Sequence, residues 1–257
     1  MRFLYLSWLC FKSTYGFLKP EEYILERLFN SLMQMLFFVL LASYANTAQS
    51  LAVTIAGNAM IVCCQSCIGD LGMIFLRERM FGTMKVLLAG GKSMLCLFAQ
   101  KGFFLLLDSL ISFGIIIVIG FLIFDLPFSI LTGGMIVCII LCCASCISIG
   151  FLLGSFGIIL PDINFVYNLF ITLLFFLCGA NISIHLLPLP LQWLASVLPL
   201  THGLQAMQLL IHGTWNMQVT FLMLQEVLCM VFYAGAAYLM FRILERAAMR
   251  KATIDLY

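Results

Sequence analysis

Charge is what this sequence has least of. Only 9% of its 257 residues are Asp, Glu, Lys or Arg, against roughly 25% in a soluble domain. No charged residue occurs from 28 to 69 or from 163 to 225, and a water-soluble fold cannot hide runs of that length. With 64% hydrophobic residues and a mean hydropathy of +1.14, a soluble chain would expose large apolar patches. The shortage of charge excludes soluble enzymes, nucleic-acid binders and secreted disulfide scaffolds, and leaves an all-α integral membrane protein. Proline is scarce as well, and three of the 6 prolines, Pro188, Pro190 and Pro199, crowd into one stretch.

Stretches of about 20 apolar residues read as spanning helices. Six are expected, near 28–44, 51–75, 102–124, 129–153, 165–181 and 218–241, which puts both termini on one side. The few cations then fall into a pattern. Arg2, Lys12, Lys19 and Arg27 precede the first span. Arg77, Arg79, Lys85, Lys92 and Lys101 lie between the second and third, and Arg242, Arg246, Arg250 and Lys251 close the chain. All 13 cations thus share one side, which the positive-inside rule makes cytoplasmic. No small-residue cleavage site precedes Pro20, Glu21 and Glu22, so the start of the chain does not read as a removable signal. Its aromatic residues and lysines suit a helix over 1–22 lying in the headgroup layer.

The 11 cysteines invite a metal reading, because Cys63, Cys64 and Cys67 and then Cys142, Cys143 and Cys146 form two CCxxC clusters within spans. Packing explains more of the pattern. Cys138, Cys142, Cys146, Gly150 and Gly154 recur every fourth residue, as do Ala59, Cys63 and Cys67. Small residues at that spacing let helix backbones approach closely in lipid, and a free cysteine behaves as a small hydrophobe.

Three resemblances to catalytic motifs fail on spacing or context. Gly91-Lys92-Ser93 ends like a phosphate-binding loop, but Val86 stands where the first glycine belongs and no α/β domain surrounds it. Glu21 and Glu22 with Arg27 miss a membrane-protease pattern by one residue. The histidines His185, His202 and His212 all fall in one segment near the last span, away from any nucleophile motif. The chain is therefore expected not to be an enzyme.

Two segments carry more information. The loop 76–94 has a charged exit from the second span, a glycine break at Gly82, and apolar Met84, Leu87 and Leu88 at helical spacing. Such a helix either lies on the membrane surface alone or plugs into a groove on a soluble partner. Segment 182–217 carries no charge, yet its prolines cut it into pieces near 191–198 and 200–212 that are too short to span. It reads as a re-entrant hairpin between the fifth and sixth spans, with Trp193 and Trp215 at the interface.

Together these segments resemble the permeases of ABC type-2 exporters. In that family a run like Glu/Arg-Glu-Arg-x-x-Gly-Thr follows the second span, and Arg77, Glu78, Arg79, Gly82 and Thr83 match it. The family often ends its outer hairpin in Pro-Leu-Thr, matched by Pro199, Leu200 and Thr201 behind Leu187 and Pro188. Lys85 departs from the acid often found there. The resemblance implies two permease chains, identical or not, paired in the cell membrane above ABC ATPase subunits. ATP and magnesium would then sit on the ATPase, with no cofactor on this chain. Arg77, Glu78, Arg79, Gly82, Thr83 and Leu87 would transmit ATPase closure. Pro188, Pro190, Pro199, Leu200 and Thr201 would belong to an outer gate, through which an amphiphile, peptide, drug-like or lipid-linked molecule leaves.

Two intramembrane acids stand apart. Asp108 lies about 9 Å into the third span and Glu226 about 12 Å into the last. Ionisable groups at such depth are costly and mark either a pathway or a buried hydrogen bond. If they carried protons, the chain would be an ion-coupled secondary transporter, although no internal repeat supports that class. A non-transporting scaffold subunit is the third reading. Asp162, after Pro161, is expected to cap the fifth span.

Overall fold

The computed structural model describes residues 19–44, 51–72, 94–127, 132–156, 164–213 and 215–251, with positions 5, 7, 9, 12, 78, 81 and 82. Among them every regular element is helical. Lipid offers no water to a free backbone, so an apolar chain satisfies its N–H and C=O groups within helices. The first described helices are α1 (Pro20–Ile24), a π-turn at Leu25–Phe29, and α2 (Asn30–Tyr44), which follow one another without a gap. Then come α3 (Leu51–Gly72), α4 (Met94–Ile123), α5 (Gly133–Phe156) and α6 (Asn164–Leu177). A 3-10 turn at Ile184–Leu186 leads into α7 (Leu189–Val197), α8 (Thr201–Ile211) and α9 (Met217–Lys251).

Among the described residues, four helices are long and apolar enough to cross a membrane: α3, the Gly102–Ile123 part of α4, α5, and the Met217–Ile243 part of α9. The six-span expectation meets two shorter helices. α2 has 15 residues and α6 has 14, below the roughly 20 that a span usually needs. For α2 the π-turn divides a longer helical stretch. α6 stops at Leu177 because Gly179 adopts φ +89°, a left-handed turn that glycine favours just past a helix end. Two other boundaries also moved. α4 begins at Met94 rather than near 102, and α9 continues through its basic end to Lys251. Of the expected interfacial helix over 1–22, Tyr5, Ser7, Leu9, Lys12 and Pro20–Ile24 are helical, and the other positions before Lys19 lie outside the described residues. Asp162 lies outside them as well.

α3 is the axis of the molecule. In its most apolar stretch 83% is buried, against 28% in that of α9. α5 and α4 pack along it, α2 covers a further face, and α9 lies against α5. The close approach is made by small residues. A Cβ on Gly154 would come within 2.9 Å of the Leu71 carbonyl oxygen, and one on Gly150 within 3.3 Å of the Ile68 Cα. Further along the same stripe Cys138 Sγ donates to the Gly203 carbonyl at 3.0 Å. Cys142 Sγ fills the space that a Gly203 side chain would need. One stripe of α5 therefore receives two neighbours, α3 at its glycine end and α8 at its cysteine end. From α3, Cys63 Sγ lies 3.3 Å from Cys143 Sγ. Among the described residues no group of three or more His, Cys, Asp or Glu side chains is placed to hold a metal ion.

Candidate functional site

The proline-rich segment forms two helices near the expected boundaries. Pro188 is the N-cap of α7 and Pro190 lies in its first turn, where a missing N–H costs nothing. Pro199 lies in the short break between the helices, which meet at 94°. Leu200, the N-cap of α8, has φ +80°. A left-handed non-glycine residue costs on the order of 1–3 kcal/mol and needs outside support.

That support comes from Glu226, which is fully buried near the middle of the apolar part of α9. Its Oε1 accepts from Leu200 N–H at 2.9 Å and its Oε2 from Gly203 N–H at 3.1 Å. The carboxyl thus occupies the N-terminus of α8, where backbone N–H groups lack helical partners and negative charge is favoured. Two turns along α9, Tyr233 Oη donates to the carbonyl of Val197, the last residue of α7, at 2.7 Å. On α5, Ser145 Oγ donates to the Leu141 carbonyl at 3.1 Å, a bond shared with the Glu226 carbonyl at 3.4 Å. Thr201 begins α8 fully buried, and its hydroxyl has no partner. The sequence alone marked Glu226, Leu200 and Thr201 separately, and the fold brings them together. Tyr233 carried no signal beyond being a tyrosine on an apolar helix.

A polar patch lies beside this junction. Asn58 Nδ2 donates to the Thr54 carbonyl and to Asn181 Oδ1, both at 2.9 Å. Thr54 Oγ1, Asn58 Oδ1 and Asn181 Nδ2 are buried without hydrogen-bond partners. α8 packs next to them: Leu204 Cδ1 and Ala180 both reach the face of Gly57, and Met60 reaches that of Gly203. Gln208 Nε2 ties α8 to the Gly179 carbonyl at 3.1 Å. Asn58 is uncommonly polar for a helix so deeply enclosed, a signal that was present in the sequence.

Asp108 does not join this site. It accepts a hydrogen bond from Tyr23 Oη, linking the middle of α4 to α1 at the start of the described chain. Of the candidates in the loop 76–94, Glu78 is helical and half-buried, and Gly82 forms an exposed turn with Phe81. Gly82 has φ +69°, and a Cβ placed on it would meet nothing within 4 Å. The glycine is therefore required by backbone angle rather than by crowding. Arg77, Arg79, Thr83 and Leu87 lie outside the described residues.

Four long apolar helices among the described residues, the buried α3 one of them, define a multi-pass membrane protein. Residues 4–212 match the family model of the ABC-2 type transporter, which is more than half of the chain, and the chain belongs to that family. It is accordingly a transport permease of an ABC transporter, a family that works with an ABC ATPase. The matched stretch ends at His212, so α9 with Glu226 and Tyr233 follows it. No individual curated protein matches the chain.

Proposed function

We propose that the chain is the membrane subunit of an ATP-driven exporter that expels an amphiphilic, peptide, drug-like or lipid-linked molecule. In this reading it crosses the cell membrane six times with both termini in the cytoplasm, α2 and α6 providing the two shorter spans. Two permease chains flank a central pathway, and ATP and magnesium are held by the ATPases docked below. The loop containing Arg77, Glu78, Arg79, Gly82, Thr83 and Leu87 receives ATPase closure. The α7–α8 pair, with Pro188, Pro190, Pro199, Leu200 and Thr201, is a re-entrant hairpin that gates the outer end.

The observation that carries this reading is the bent α7–α8 pair, seated beside the partnerless polar atoms of Thr54, Asn58 and Asn181. Buried polar groups are normally satisfied. A set left open beside that bent pair suits a path that meets water or a polar solute when the pair moves. Asp108 and Glu226, the candidate pathway acids, are engaged with Tyr23 and with backbone amides, which favours holding helices in place over carrying ions.

The test is capture of the ATPase by full-length tagged chain from its native membrane. MgATP hydrolysis should travel with the wild-type chain. Gly82→Pro should lower the captured hydrolysis at least about tenfold at equal yield of folded permease, because proline cannot adopt a positive φ. A folded chain that captures no ATPase, or capture that ignores both Gly82→Pro and Glu78→Ala, would refute the reading.

A further inference from the structure

α9 grips the bend between α7 and α8 on both sides. Tyr233 donates to the carbonyl that ends α7, and Glu226 accepts from two amides in the first turn of α8, those of Leu200 and Gly203. The two side chains are seven residues apart, two helical turns, and so share one face of α9. Their chemistry matches the helix ends they meet: a donor on the carbonyl end and a carboxyl on the amide end. A helix broken in apolar surroundings exposes such groups with no water to satisfy them. Here one neighbouring helix supplies both needs. The junction is also tied to α5, through Ser145 on the Glu226 carbonyl and Cys138 on the Gly203 carbonyl. Cys142 fills the space above Gly203, so a bulkier residue there must displace that thiol or α8.

We propose that Glu226 and Tyr233 are positioning residues that form a two-point clamp, making the α7–α8 bend a rigid extension of the last span. The hairpin then shifts only when α9 shifts, or when the clamp opens. Glu226 is the stronger point, since it makes two bonds and holds Leu200 in its left-handed conformation. Tyr233 is the weaker, making one bond to the end of α7. Its significance for gating rests on the exporter reading, whereas the clamp itself is a property of this chain alone.

Hydrogen–deuterium exchange on the full-length chain in lipid nanodiscs tests the clamp. Glu226→Gln keeps the side-chain shape but turns one acceptor into a donor facing an N–H group. It should raise exchange across 199–204 by about tenfold, the equivalent of one lost buried hydrogen bond. Tyr233→Phe should raise it by about threefold to fivefold. The double variant should not exceed Glu226→Gln by the full Tyr233→Phe factor, because both contacts hold one body. Exchange over 51–72 and 218–240 should stay at its wild-type level. The clamp is refuted if 199–204 is unmoved by Glu226→Gln, or if the two effects multiply independently. Equal acceleration through α3 and α9 also refutes it, since that would mark general loosening. Failure of ATPase capture with this exchange pattern intact would overturn the exporter reading and leave the clamp standing.

Discussion

Along the α3–α5 seam, contact is made by backbone and very small side chains, with Gly150 and Gly154 against Ile68 and Leu71 and thiols at Cys63 and Cys143. At the α8–α9 junction, contact is made by a few directional bonds from Glu226 and Tyr233 to broken helix ends. Both regions are buried, but they resist different insults. Lipid gives helices no hydrophobic reason to associate, so the seam depends on close van der Waals approach and tolerates apolar exchanges that preserve volume. The junction depends on the identity of single atoms and tolerates little change even at constant volume. The first arrangement suits a fixed axis, and the second suits a part that moves as one piece and can be released.

Substitutions can break this contrast at several strengths. The largest effect is expected from Gly154→Leu, because the first added carbon already meets the Leu71 carbonyl at 2.9 Å. About 3 kcal/mol or more should be lost, seen as a lower unfolding midpoint in detergent and poor recovery of monodisperse protein. Unchanged stability would mean that α3 and α5 are not held by backbone proximity. Glu226→Gln comes next, with an effect confined to residues 199–204 in exchange. The smallest effect is expected from Cys143→Ala, which keeps a small apolar residue against Cys63. Less than about 1 kcal/mol should be lost. A much larger loss would show that the thiols do something chemical along the seam.

The seam was readable from spacing alone, since every fourth residue from Cys138 to Gly154 is small and a helix sums such positions onto one face. The junction was not, because Glu226 meets Leu200 and Gly203 from 26 and 23 residues away. Nothing local ties an acid in one helix to the amides that open another. Proline placement located the two short helices α7 and α8 to within a few residues, but their 94° angle is a tertiary fact. The Tyr23–Asp108 pair spans 85 residues and is equally invisible in the sequence. The expected spans 28–44 and 165–181 ran across backbone features, into the π-turn Leu25–Phe29 and past Gly179. Hydropathy measures side chains and is blind to a change in backbone hydrogen bonding.

The most direct test of an ATP-driven permease with a gate carried by its last span is exchange over 189–213, in the native complex with its ATPase. Deuterium uptake there should change on adding MgATP and should ignore a proton gradient imposed across the vesicle. A hairpin that responds to the gradient and is indifferent to ATP would contradict it, and would return Asp108 and Glu226 to the role of ion carriers.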